Sequence, residues 1–372
     1  MAGVKPDSFP EGLVQSGNCL SINRGLCRVA AHVVGMRIPI PEETIGMLQC
    51  ATTLMRNQVN PGDQLDHYRI DEVLAHTTVA SIFRGTDLQT QRKVTIKVPH
   101  PDVESDPIFS ERFQREEEIG RSLDHAGLMK VFSDGAHSRP YIVMEWFDGQ
   151  LLRNLLNEKK KLPAERAERI LLAITDVLDY VENHGVVHRD LRPENVMVNA
   201  DDHIKLINFG NAAKTGARRV TFANLAQSVG MSEYVSPEEL GGKRGDARSD
   251  IYALGVMLYE MLTGKTPFQG VEPFDRMGKD PTPPREIDPA ISPQLQEVIY
   301  LTLERDPRKR YPNAHDLARN LRHLDQVSVT QRPELGACKQ QRIQQVRRVL
   351  LYTILALLPI AIFLLLLYFA HR

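Results

Sequence analysis

His188-Arg189-Asp190-Leu191-Arg192-Pro193-Glu194-Asn195 is the stretch on which the reading of this chain turns. It places an aspartate, a basic side chain two positions on and an asparagine five positions on. That set suits phosphoryl transfer. Asp190 can orient a hydroxyl and accept its proton, Arg192 can balance charge on the moving group, and Asn195 can hold a metal through its amide oxygen.

Upstream of the octet, YRIDEVLA from Tyr68, SIFRGTD from Ser81 and RKVTIKV from Arg92 are short β-prone segments separated by polar turns. In the last of them Val94, Ile96 and Val98 share one face, Thr95 and Lys97 the other. Residues 107–124 predict a helix whose apolar stripe is Phe109, Phe113 and Leu123. Glu116 falls on that stripe, and an inward carboxylate needs a cation; Glu117 and Glu118 read as solvated. Downstream, Leu171, Ile174, Leu178 and Val181 form a helical stripe that Gly185 stops. Residues 251–262 are apolar nearly all round, which predicts a helix buried in a domain interior and closed by Thr263-Gly264. Strands first and helices later imply an α+β protein with two lobes.

With these flanks the chain closely resembles the protein kinase family, in particular bacterial Ser/Thr kinases of receptor type, over residues 66–325 and with the motifs in order. The resemblance implies a bilobed protein kinase fold with a small β-rich N-terminal lobe and a larger helical C-terminal lobe. It implies ATP with Mg2+ or Mn2+ as cofactors and a protein as substrate or signalling partner. VTIK supplies Lys97, which the family sets on the α- and β-phosphates, and Glu116 matches its ion-pair partner. In YIVMEWFDG, the link between lobes, Met144 would sit behind the adenine, and the backbone of Glu145 and Phe147 would bind its edge. Leu74, Ile82 and Thr95 complete the expected adenine site. Ser236-Pro237-Glu238 stands where the family has Ala-Pro-Glu, Arg310 would pair with Glu238, and Asp250 in SDIYALG would bond the catalytic-loop backbone.

Most departures from the family pattern fall where nucleotide would bind. Ala75, Thr77 and Ala80 replace the three glycines that let backbone approach the phosphates. Thr95 replaces an alanine that packs on adenine. Asn208-Phe209-Gly210 replaces Asp-Phe-Gly, so the metal ligands implied by the resemblance are Asn195 and Asn208, the latter without its charge. Gly230-Met231 replaces Gly-Thr before Tyr234. Together these favour an impaired, pseudokinase-like nucleotide site. By position, residues 211–235 are the activation loop, with Thr221 and Ser228 among its hydroxyls and Arg189 placed to receive a phosphate.

The formal net charge of −1 offers no bulk attraction for nucleic acid. Cys19, Cys27, Cys50 and Cys338 have no metal-ligand spacing and leave the central domain without cysteine, which fits a reducing compartment. Residues 1–65 read as a poorly ordered extension and 326–348 as a juxtamembrane linker. Residues 349–370 read VLLYTILALLPIAIFLLLLYFA, an uncharged run that would span about 33 Å as a helix. With Arg342, Arg347 and Arg348 before it, the positive-inside rule puts the kinase-like domain in the cytoplasm and the C-terminus across the membrane. Two function classes follow: a weak membrane-anchored Ser/Thr kinase in intracellular signalling, or an inactive pseudokinase acting as a tethered scaffold or regulator. A third reading has nucleotide bound without metal, as a structural ligand.

Overall fold

The computed structural model describes residues 59–330, except 105, 133–134, 136, 215–232 and 274, together with 347–348 and 351–353. Thr221, Ser228, the extension before residue 59 and most of the 326–348 linker lie outside the described residues. So does the 349–370 run apart from 351–353; among the described residues no helix is long and apolar enough to cross a membrane.

Period-two patterning builds the first lobe. β1 (Gln64–Leu65), β2 (Tyr68–His76), β3 (Ala80–Asp87), β4 (Lys93–Pro99) and β5 (Ile142–Glu145) form one antiparallel sheet in that order. Val94, Ile96 and Val98 turn into a core with Tyr68, Ile70, Phe83, Tyr141 and Val143. Thr95 and Lys97, on the opposite face of β4, stay half-buried.

Two helices follow β4: α1 (Pro101–Glu104) and α2 (Pro107–Ser122). Asp106 caps α2 by accepting the Ile108 N–H at 2.9 Å, and Pro107 stands at the first turn, where it sacrifices no hydrogen bond. Gly120 lets α2 approach the chain closely, since a Cβ there would lie 2.4 Å from Val131 Cγ2. Ile119 and Leu123 bury themselves in the core of the second lobe, which fixes the rotation of α2 and the direction of Glu116.

The second lobe is helical around short strands. β6 (Gln150–Leu151), α3 (Leu152–Lys159), α4 (Ala164–Asn183), β7 (Val186–Val187), β8 (Val196–Val198), β9 (Ile204–Leu206) and β10 (Ala213–Lys214) come first. Then come α5 (Pro237–Leu240), α6 (Ala247–Thr263), α7 (Pro284–Ile287), α8 (Pro293–Thr302) and α9 (Ala314–Arg322). The stripe Leu171, Ile174, Leu178, Val181 is buried along α4. Residues 249–263 of α6 are buried on every side, and Gly264 ends the helix in the left-handed region at φ 76°, donating to Glu260 O. The lobes touch behind the cleft: Leu206 donates to Gly127 O at 2.8 Å, Met129 donates to Leu206 O at 3.1 Å, and Lys205 pairs with Glu145 at 2.5 Å.

Candidate active site

The octet forms the loop between β7 and β8. Its backbone is held from below by Asp250, in the first turn of α6, which accepts the N–H groups of His188 and Arg189, each at 2.8 Å. Arg189 takes a φ of 63°, a region that long side chains rarely adopt, and the Asp250 bond is part of what holds it there. Its guanidinium donates to Gly245 O at 2.9 Å. His188 is wholly buried, its Nε2 facing Ile207 O at 3.2 Å and its Nδ1 facing the Asp190 N–H at 3.3 Å. Burial pushes this imidazole down to about 4, so at neutral pH it is uncharged.

Asp190 is half-buried. Asn211 Nδ2 donates to its Oδ2 at 3.2 Å, and Asn195 Nδ2 donates to its main-chain oxygen at 2.6 Å. Burial raises the Asp190 carboxyl above the usual carboxylate range, against Arg192, Asn211 and Asn195, which favour the ionised form. Arg192 does not stand free beside it: its Nε donates to Glu194 Oε2 at 2.8 Å. Arg153, on α3, bonds the other Glu194 oxygen at 2.8 Å, Glu260 at 2.6 Å and the Tyr234 hydroxyl at 2.6 Å, and that hydroxyl donates to Glu260. Burial alone would raise Glu194, but Arg192 and Arg153 hold it down to about 2. This network lines a cavity of about 270 Å³ with Lys265, Thr266 and Gln269.

Across the cleft, Lys97 Nζ donates to both oxygens of Glu116, at 2.8 and 2.6 Å. The inward carboxylate of α2 therefore has the cation its burial demands. Glu117 and Glu118, read as solvated, each hold a partner: Arg121 at 2.7 Å and Lys214 at 3.0 Å. Ile82 lies opposite Lys97 across β3–β4, and Met144 opposite Thr95 across β4–β5, so these half-buried side chains share the cleft face. Leu74 is exposed, at a bulge between Val73 and Ala75. In the lobe link, Glu145 spends its carboxylate on Lys205 and on the Lys130 N–H at 2.9 Å, and Phe147 O accepts from Gly149 at 3.1 Å. Gly149 has no room for a side chain, since a Cβ would meet Val198 O at 2.7 Å.

The two expected metal ligands are bonded to each other. Asn208, at a φ of 69° that asparagine tolerates, donates from Nδ2 to Asn195 Oδ1 at 3.0 Å. Asn195 is thus engaged at both ends of its amide, and the donor set contains two neutral side chains. Mg2+ favours charged carboxylate oxygens, so this set fits a dication poorly. Among the described residues no cluster of three His, Cys, Asp or Glu side chains could hold a metal instead. On the cleft face of the sheet, by contrast, Ile82, Thr95 and Met144 are half-buried beside Lys97.

Away from the cleft, Glu238 and Arg310 meet in a bidentate pair, 2.7 Å on each arm, with the Arg310 side chain fully buried. Ser249 adds a hydroxyl donor at 2.7 Å, and Tyr252 lies under the guanidinium at 4.9 Å. Sequence reasoning missed Asn211 and Arg153. Asn211 carries no pattern beyond following Gly210, and the partners of Arg153 lie 41, 81 and 107 positions away.

Residues 68–321 match the model of the family described as the protein kinase domain. A probable serine/threonine-protein kinase of Streptomyces coelicolor is 35% identical over 259 residues, covering 67% of this chain and 38% of that protein. The serine/threonine-protein kinase PknB of Mycolicibacterium smegmatis is 31% identical over 279 residues, covering 73% of this chain and 45% of its own length. PknB of Mycobacterium tuberculosis is 32% identical over 270 residues, with 70% and 43% covered. The chain thus spans less than half the length of these curated relatives. The kinase domain of Mycobacterium tuberculosis PknI superposes with a TM-score of 0.57 at 23% identity, over 72% of this chain and 100% of that one, a likeness of fold.

Proposed function

Because this chain belongs to the protein kinase family and has its bilobed fold, we propose that it is a membrane-anchored Ser/Thr kinase-family protein of intracellular signalling whose phosphoryl transfer from ATP to protein hydroxyls is slow. The observation that carries the reading is the amide pair Asn208–Asn195, in which the side chains best placed to hold a cation satisfy each other. The rest of the transfer machinery keeps working geometry. Lys97 and Glu116 are paired, and Asp190 is half-buried, held by Asn211 and next to Arg192. In this reading Asp190 receives the proton of a substrate hydroxyl and Arg192 offsets charge on the transferred group. The membrane anchor rests on the uncharged run at 349–370 and the arginines before it.

The alternative, a scaffold without catalysis, shares the fold and the anchor. The two separate in one assay: autophosphorylation and transfer to a generic protein substrate by the full chain, with Asp190→Ala as the dead control. Slow transfer that Asp190→Ala abolishes is the expected result. Transfer at rates ordinary for the family, about 1–100 per second, would overturn the slow-transfer reading, and incorporation equal in wild type and Asp190→Ala would leave the scaffold.

A further inference from the structure

The turn between β2 and β3, where kinases lay glycine-rich backbone over the phosphates, is closed here by a side chain. Thr77 Oγ1 accepts the Ala80 N–H at 3.0 Å and, at 3.4 Å, the Val79 N–H. The same hydroxyl donates to Ala80 O at 2.8 Å, which also takes the Thr77 N–H at 2.9 Å. Residues 75–80 are all described, and none takes a positive φ, so the turn closes without the conformations that require glycine. Its outer side is fastened too: Val79 O accepts the His100 N–H at 3.0 Å, and Ser81 Oγ bridges His76 Nδ1 at 2.9 Å and His100 Nε2 at 3.1 Å.

Backbone N–H groups at such a turn are what a phosphate oxygen would bond. In this chain a threonine oxygen already occupies them, and its β-branched carbon stands where the backbone would have to come close. The metal side is satisfied in the same way, by the Asn208–Asn195 amide bond. The side where the family seats adenine carries instead the half-buried side chains of Ile82, Thr95 and Met144.

Building on the slow-transfer reading, we infer that the cleft takes an adenine nucleoside and draws little of its affinity from the phosphates, because Thr77 stands in for a phosphate oxygen within its own loop. Adenosine then binds almost as well as ATP, with or without magnesium. Thr77 is the residue that sets this preference. A phosphate can still enter, but it must first displace bonds the turn makes to itself, and Lys97 must be shared with Glu116.

Trp146, the one tryptophan of the chain, lies in the lobe link between Glu145 and Phe147 and gives a fluorescence readout that needs no catalysis. Adenosine, ADP and ATP are titrated onto the purified full chain, each with and without magnesium. For wild type the dissociation constants of adenosine and ATP should agree within about threefold. Thr77→Gly, which removes hydroxyl and branch, should raise the preference for ATP over adenosine about tenfold by freeing donors for charge-assisted bonds, with adenosine affinity unchanged. Thr77→Val keeps the bulk, loses the hydroxyl and should give part of that gain. A wild-type preference for ATP of about a hundredfold or more, an unchanged ratio in both variants, or no binding of any of the three would each overturn the inference. Transfer rates are measured separately, so the slow-transfer reading and this one can fail independently.

Discussion

Asn208 gives its amide proton to Asn195 Oδ1 across 3.0 Å, which makes the pair a closed unit rather than an open cation site. An aspartate at 208 cannot donate that bond and would leave the Asn195 oxygen exposed to the cleft. A unit charge about 2–4 Å from a dication is worth several kcal/mol even when screened. Asn208→Asp should therefore strengthen magnesium-dependent ATP binding about tenfold or more and raise autophosphorylation. The gain should stay below the roughly thousandfold that about 4 kcal/mol would give, because Ala75, Thr77, Ala80 and Thr95 are unchanged. Calorimetric titration with and without magnesium checks it, and an unchanged magnesium dependence would locate the obstruction in the β2–β3 turn.

Among the described residues Arg310 is the only guanidinium on Glu238, and its side chain has no exposed surface. Burial would raise the Glu238 carboxyl, yet Arg310 holds it below the usual range. Arg310→Ala leaves a buried charge without its counter-ion, a change that costs about 3–5 kcal/mol. Urea unfolding should show that loss as a lower midpoint at constant slope. A cost under about 1 kcal/mol would mean that the pair is solvated in solution.

His188 gives the stability a pH dependence with a definite sign. Its imidazole falls from an ordinary 6.5 to about 4 in the folded chain because it is buried. Between those values the unfolded chain binds the extra proton, so stability is full above the upper value and is lost as pH falls toward the lower. The loss amounts to roughly 3 kcal/mol. Unfolding midpoints measured across that window should drop accordingly. In His188→Gln, which takes up no proton, this part of the slope should vanish; a slope identical to wild type would assign it to other groups.

Deleting residues 347–372 removes the whole uncharged run, Arg347 and Arg348 before it, and His371 and Arg372 after it. The shortened chain should leave the membrane fraction and appear in the cytosolic supernatant with its unfolding transition intact. Continued sedimentation with membranes would show that another segment anchors it.

Much of the site is legible in one dimension because its parts are local or carry a period. The octet 188–195 is contiguous, Lys97 and Glu116 each sit at a definite place in a strand or helix pattern, and Glu238 and Arg310 lie in recognisable words. The structure brings each of these pairs together, with Lys97 on Glu116 at 2.6 Å and Glu238 on Arg310 at 2.7 Å. What the chain does not disclose are bonds that depend on loop geometry. Thr77 reads as an obstruction, while its hydroxyl closes the turn; Asn208 reads as a missing charge, while its amide is a donor. Arg153 has no signal at all, since nothing in α3 announces two carboxylates from distant helices and loops. Those relationships arise only when turns set the direction of a short polar side chain.

The two lobes are very unequal in what they bury. Among the described residues nine make up the core of the sheet, against forty-four in the cluster that includes α4 and α6. Ile119 and Leu123 of α2 belong to the larger cluster, and Leu206 holds Gly127 and Met129 against it. A sheet with so small an interior leans on its neighbour to stay folded. The order of assembly follows: the helical lobe can consolidate first, and the strands then close onto a surface already made. In native-state hydrogen exchange the amides of β2–β4 should open at lower free energy than those of α6, through a partial unfolding that leaves the helical lobe standing.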